Sequence, residues 1–285
     1  MEYRRQLKFI TFLAAELIIY SCNKDDDLTG LFYCSDPSDE RFDQSINWNK
    51  LNPDRNIFVD SDNYCFLAAG DSHVGPTSNL DTLIEKASAP EISFLIHVGD
   101  LTTGQENDYD SVKKHLSARS QIPFYLTAGN HDLFFNGWKS FTNYFGSSTY
   151  TFEVTSHFGK DLFICLDTGT GTLGPKQMKW LREILKNMRN SYRNCIVFTH
   201  INFFREHRTG STNLLVEELC VLLNLFLDNR VDLVIMGHDH RHSVEILSNT
   251  HYVTLDALED EFRCASYLSV TNNNGKLSYK FNNIY

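Results

Sequence analysis

Basic residues are scarce in this chain, long apolar runs are absent, and neither an internal repeat nor a low-complexity block is visible. Lys and Arg number 26 against 36 Asp and Glu, a formal net charge of -10 over 285 residues. A surface that binds nucleic acid needs a basic stripe to release phosphate counterions, so no nucleic-acid partner is expected. Phosphate chemistry stays open, because bound divalent cations reverse the sign locally. The apolar stretch Phe9 to Tyr20 is broken by Glu16 and falls short of the roughly 20 residues of a membrane span.

What is present allows one large domain. At 42% hydrophobic the chain can bury a substantial core, and the polar clusters described below need a common core to meet. Seven cysteines in a chain of this size do not read as a disulfide framework. Cys65, Cys165 and Cys195 lie in apolar strand-like runs, as buried free thiols do. Cys34, Cys220 and Cys264 are candidates for pairing in an oxidising compartment.

The N-terminus reads as an export segment. Arg4, Arg5 and Lys8 precede the apolar stretch, and Ile19-Tyr20-Ser21-Cys22 follows it, which resembles a bacterial lipoprotein cleavage site. Residues 1–22 are then the signal, with Cys22 the lipid-bearing cysteine and a route to membrane attachment. The expected location is periplasmic, or on the outer membrane or cell surface of a bacterium. Residues 23–62, rich in Asp, Asn and Ser, are read as an acidic, polar tether and N-terminal extension, and 63–285 as the functional domain.

Along that domain, Tyr64 to Ala69, Ile92 to Val98 and Pro123 to Thr127 read as buried strands, with helices over Thr77 to Ala89 and Glu106 to Arg119 between them. Tyr150 to Val154 and Leu162 to Leu166 read as an antiparallel pair, and Pro175 to Arg189 as an amphipathic helix. Strands over Cys195 to Thr199 and Val231 to Met236 flank a helix over Asn213 to Leu227. Alternating segments from Ser243 to Phe281 suggest strands closing a second sheet. The fold class is α/β, two mixed sheets flanked by helices.

Each apolar run ends in a short polar cluster: Gly70-Asp71-Ser72-His73, Val98-Gly99-Asp100, Gly129-Asn130-His131-Asp132, Phe198-Thr199-His200 and Gly237-His238-Asp239-His240. Singly each is weak, since Asp71 reads as a turn cap, Gly99-Asp100 as ordinary turn chemistry, and His200 as a core histidine. If the segments are extended, Asp71 and His73 face one locus, as do His238 and His240. With Asp100, Asn130 and His200 they offer more nitrogen and oxygen ligands than one tetrahedral ion takes, and suit two ions sharing a carboxylate.

This ordered series resembles the calcineurin-like metallophosphoesterases. The resemblance covers about Phe66 to His240 and implies a four-layer αββα sandwich of two packed mixed sheets. It implies that Asp71, His73 and His240 hold one metal, that Asn130, His200 and His238 hold the other, and that Asp100 bridges them. His131 becomes the catalytic histidine near the leaving group and Asp132 the residue that orients its ring. Purple acid phosphatases have Asp-x-Gly in the first cluster and a tyrosine three residues after the bridging aspartate; His73 and Thr103 stand there instead. His200 is followed by Ile201-Asn202-Phe203-Phe204, not the histidine and proline of many cyclic-nucleotide members.

The expected activity is hydrolysis of a phosphodiester by a metal-bridging hydroxide, with two divalent or trivalent ions of zinc, manganese or iron. The alternatives are a phosphomonoesterase of the same fold and a non-catalytic metal-binding surface lipoprotein. Arg205, His207 and Arg208 are either substrate contacts or a solvated loop. Phe134, Phe135 and Trp138 are pocket walls or core. His97 reads as a supporting or packing residue rather than a ligand, Asp239 and His242 have at most a supporting role, and His115, His157 and His251 read as ordinary surface or structural histidines.

Overall fold

The computed structural model describes residue 34 and residues 36–74, 77–119, 122–205 and 212–285. The expected export segment, Cys22, the first part of the tether, His207 and Arg208 lie outside the described residues. Helix α1 (Ser38–Leu51) and strand β1 (Ile57–Phe58) precede the first motif. Then come β2 (Tyr64–Ala69), α2 (Ser78–Ala87), β3 (Ile92–His97), α3 (Glu106–Arg119), β4 (Phe124–Leu126), a 3-10 turn (His131–Asn136) and α4 (Gly137–Phe145). A pair β5 (Tyr150–Thr155) and β6 (Lys160–Cys165) leads to α5 (Gly174–Met188), β7 (Cys195–Phe198), α6 (Val216–Asp228) and β8 (Leu233–Met236). The strands β9 (Ser243–Leu247), β10 (Thr250–Thr254), β11 (Ser266–Asn273) and β12 (Lys276–Asn283) complete the chain.

Two mixed sheets result, ordered β1-β5-β6-β7-β8-β10-β9 and β12-β11-β2-β3-β4. The layering follows from strands that are apolar on both faces. Phe66 and Ala68 of β2, Phe94 and Ile96 of β3, Phe163 and Cys165 of β6, and Ile196 and Phe198 of β7 fill the space between the sheets. Their neighbours Leu67, Ala69 and Leu95 instead meet Leu80, Leu83 and Ile84 of α2, Tyr109 of α3 and Trp138 of α4. Leu162, Ile164, Val197 and Val234 meet Leu181 and Leu185 of α5 and Phe226 of α6. Aromatic rings join the sheets: Phe66, stacked on Phe94 of its own sheet at 4.7 Å, meets Phe163 of the other edge-on at 5.4 Å. The expected four layers are therefore present.

The closing strands depart from expectation. β9 and β10 extend the seven-stranded sheet, β10 lying parallel to β8, whereas β11 and β12 return to β2 in the other sheet. The reason is burial: β11 lays Leu268 and Val270 opposite Ala68 and Phe66 in the core between the sheets. Among the described residues the cysteines are free, so Cys34, Cys220 and Cys264 are not paired with one another, and Cys65 is only half-buried. No described helix is long and apolar enough to cross a membrane.

The region expected as tether and extension carries a packed helix. α1 follows Pro37, with Asp39 and Glu40 in its first turn, where acids favour the helix dipole. Its Arg41 is fully buried and grips the Asp167 carboxylate through Nε at 2.8 Å and Nη2 at 3.1 Å. Nη2 also reaches Thr170, and Nη1 the Asp36 carbonyl at 2.8 Å. The folded body thus starts before residue 63. Removing one partner of a buried ion pair costs about 3–5 kcal/mol, whereas replacing both with apolar groups is often neutral. Arg41→Met should therefore lower stability to urea by about that amount, and Arg41→Met with Asp167→Leu should recover most of it.

Candidate metal centre

The five clusters sit just past the carboxyl ends of β2, β3, β4, β7 and β8, where open α/β sheets carry ligands. Their backbones are not extended. Asp71, His73, Asp100, His238 and His240 have φ of 55°, 41°, 50°, 76° and 57°. These are five of the seven expected ligands, in a left-handed region that side chains enter at about 1–3 kcal/mol each. The shared locus of Asp71 with His73, and of His238 with His240, thus comes from tight turns and not from strand alternation. Neighbouring loops hold the turns: the Asp71 amide donates to Gly99 O at 3.0 Å and the His73 amide to Asp100 O at 3.0 Å.

The two aspartates are each gripped on the backbone side and open on the other. Asp100 Oδ1 accepts the His131 amide at 2.8 Å, while Oδ2 lies 3.2 Å from His200 Nε2. Asp71 accepts the His238 amide at 3.1 Å and 3.0 Å, and its Oδ1 lies 3.5 Å from His240 Nε2. Glycines permit the closeness. A Cβ on Gly129 would collide with the Asp100 carboxylate, and one on Gly99, with φ of 92°, would meet His200 Nδ1.

Three groups of ligating atoms form, each within 4.8 Å: Asp71, His73 and His240; His73, Asp100 and His131; and Asp100, His200 and His238. His73 Nε2 lies 3.3 Å from His240 Nε2. His200 Nε2 lies 3.1 Å from His238 Nδ1 and 3.0 Å from Asn130 Oδ1, which places the asparagine beside the third group.

Proton bookkeeping shows whether cations fit. His200 Nδ1 is 2.9 Å from the Val98 carbonyl, which can only accept, so that nitrogen carries a proton and Nε2 is the atom turned to Asp100, Asn130 and His238, a lone pair there once the ring is neutral. His238 Nε2 lies 3.0 Å from the Thr212 carbonyl, and donating there leaves its Nδ1 lone pair on the same point. Arg205 Nη1 donates to the same carbonyl at 2.8 Å and lies 2.7 Å from that Nε2, to which it donates in the other tautomer of the ring. Ring nitrogens and carboxylate oxygens that converge in this way are the donor set a metal needs, with the proton on His200 Nε2 displaced by the cation.

The field agrees. Burial opposes a charge on His200, yet Asp100 and Asp71 outweigh it and carry the imidazole up to about 9. Burial likewise opposes ionisation of Asp71, but His240 and His200 hold it down to about 2. His73 is driven down to about 3 by burial, leaving a neutral ring able to ligate. The locus demands positive charge, and two cations with these residues would satisfy it.

His131 stands at the open edge, its side chain 26% exposed and its Nε2 3.9 Å from Asp100 Oδ2. Its ring is 4.4 Å from His73 and 4.6 Å from Phe134. Asp132 does not orient that ring. Its carboxylate accepts the amides of Leu101, Thr102 and Gly129 and the Thr102 hydroxyl, so it ties the second cluster to the third, and burial followed by Asp100 raises it to about 6. Thr103, where purple acid phosphatases have tyrosine, bonds Asp108 instead.

The remaining candidates scatter. Arg205 pairs with Asp239 at 2.7 Å. His97 is buried on β3, outside the three groups, with neither ring nitrogen hydrogen-bonded. His242 pairs with Asp256 at 2.7 Å, His115 with Asp81 and His251 with Tyr279. Trp138 and Phe134 are buried, and Phe135 is 61% exposed. Asp167 and Thr168, after β6, were not foreseen: the Thr168 hydroxyl meets Thr199 at 2.8 Å and accepts the Ile201 amide at 3.0 Å, on both sides of His200. Only a threonine and an aspartate at a strand end marked them, which is common turn chemistry.

Residues 66–242 match the family described as calcineurin-like phosphoesterase. The chain belongs to this family. Its members are metal-dependent phosphoesterases that use two metals, and the histidine and aspartate groups above suit that cofactor. A dimetal phosphatase from Danio rerio is similar in fold, with a TM-score of 0.63 and 12% identity over 78% of this chain and 96% of the other. A purple acid phosphatase from yellow lupin has a TM-score of 0.61 and 14% identity over 79% of this chain and 52% of its own. GAP50, titled the anchor in the inner membrane complex of Plasmodium, has a TM-score of 0.56 and 15% identity over 78% and 85%. Comparison with curated proteins finds no match. Asp100→Asn keeps an acceptor for the His131 amide but weakens the one carboxylate common to two groups. Metal analysis should show fewer than two ions per chain, with affinity falling by more than the about 10–100-fold of outer-shell changes.

Proposed function

We propose that the chain hydrolyses a phosphodiester, with Asp71, His73 and His240 holding one cation, Asn130, His200 and His238 holding the other, and Asp100 shared between them. When bound, such a pair supplies Lewis acidity and lowers the pKa of water enough to make a nucleophile near neutral pH. The residues do the rest. Asp71 and Asp100 fix the ligands through backbone amides, His73 and His200 present lone pairs, and His131 at the open edge donates a proton to the departing alkoxide. The observation that favours a diester is the engagement of Arg205: it is the cation bonded into the site among the described residues, and Asp239 and the Thr212 carbonyl occupy it. A monoester dianion gains most from a free arginine, and a diester monoanion needs it least.

The fold also serves a protein titled an anchor, so fold alone does not supply hydrolysis. The converging lone pairs, with His131 beside them, favour catalysis over a scaffold. Metal-reconstituted protein should turn over an aryl phosphodiester faster than the matched monoester, with Asp100→Asn inactive. A monoester preference would overturn the diester reading. On a diester with an alkyl leaving group, His131→Ala should lose about 100- to 10,000-fold in kcat, the range of general-acid catalysis.

We also propose export and anchoring through a lipid on Cys22, supported by the basic, apolar and Ser21-Cys22 pattern. Expressed in a bacterium, the chain should take up labelled fatty acid and sediment with membranes. Cys22→Ala should do neither, and uptake by that variant would count against the anchor.

A further inference from the structure

His238 presents a metal-facing lone pair only while its other nitrogen donates to the Thr212 carbonyl, 3.0 Å away. That carbonyl belongs to a different loop, and no strand pairing places it. Arg205 does so: Nη1 donates to Thr212 O at 2.8 Å, and Nε sits 2.7 Å from Asp239 Oδ1. The other Asp239 oxygen accepts Asn202 Nδ2 at 2.7 Å, and Asn202 Oδ1 accepts the Phe204 amide at 2.8 Å. Asp239 lies between His238 and His240, whose φ values of 76° and 57° are both left-handed. One carboxylate thus joins the loop after β7 to the turn carrying two histidines. The pair is well shielded, with side chains 13% and 22% exposed, so each charge depends on the other more than a surface pair would.

We propose that Asn202, Asp239 and Arg205 form a clamp that holds His238 in the orientation and tautomer a cation requires, making Arg205 a positioning residue. This rests on the phosphoesterase reading for its purpose, though not for its test. A guanidinium suits the place because it donates from Nη1 to the Thr212 carbonyl while its charge lies beside the Asp239 carboxylate, a spread that the compact ammonium of a lysine reproduces only in part. The contact of Nη1 with His238 Nε2 gives the opposite possibility a definite form: an arginine donating to the ring would turn an N–H toward the cations and weaken their binding.

The test is retention of metal by wild-type protein, Arg205→Met, Arg205→Lys and Asn202→Ala, dialysed against graded chelator and analysed for ions per chain. Arg205→Met should release one ion at about 10–100-fold lower chelator while keeping the other, the range for outer-shell changes. Arg205→Lys should fall between, and Asn202→Ala should shift the same way by less, carrying the test if Arg205→Met fails to fold. Kinetics on the aryl phosphodiester should show kcat falling with KM nearly unchanged. Wild-type ion retention in Arg205→Met with a raised KM would overturn the clamp and make Arg205 a substrate contact. Tighter retention would overturn it in favour of the antagonist. If the variants lose an ion as expected but even the wild type hydrolyses no ester, the clamp stands and the phosphoesterase reading falls.

Discussion

Two sheets that share a core need not share a site; here a few contacts across their carboxyl ends make them do so. His200, at the end of β7, gives its Nδ1 proton to Val98 beyond β3 in the opposite sheet, and turns Nε2 toward Asp100. In return the amide of His238, past β8, donates to Asp71, past β2. The ligand atoms exist as a group only while these crossings hold. Their reach is a few ångströms, so the spacing of the sheets matters, and phenylalanines such as Phe66, which meets Phe163 edge-on across the gap, set it.

That arrangement concentrates unfavourable terms in one place. Five ligands adopt left-handed backbones, two buried carboxylates face each other's field, and imidazole nitrogens crowd together. The surrounding fold supports this through backbone amides aimed at the carboxylates and through glycines that let the loops touch. The charge demanded at the locus is met by protonated histidine when nothing else is present, as the raised His200 shows. Metal binding and protonation therefore compete for the same atoms, and the competition follows from the ligand set itself.

The motifs and most of the strands were legible because buried parallel strands write themselves as apolar runs, and a run that stops abruptly at Gly, Asp or His marks its own end. β2 and α3 lie where the pattern places them. Pairing partners were not legible. Nothing in the alternation of β9 to β12 says which sheet edge each will join, since that depends on contacts far away in sequence. The same holds for charge: Asp132 follows His131, yet its carboxylate serves the amides of another loop. The geometry of Asp71 with His73 was right in outcome and wrong in cause, because turns as well as strands can bring alternate residues together.

Helix α1 was hidden for a related reason. Its sequence is mostly polar, so neither periodicity nor hydrophobicity marks it, and its most deeply buried anchor is an arginine that looks like surface until Asp167 is found beneath it. Its consequence concerns where such a protein can be cut. A recombinant fragment beginning at residue 63 would contain every motif of the family and would leave Asp167 buried without its counter-charge, two residues from Gly169 at the back of the Gly129 loop. The piece that carries the signature is thus smaller than the packed body, which includes α1 and its contact with Asp167.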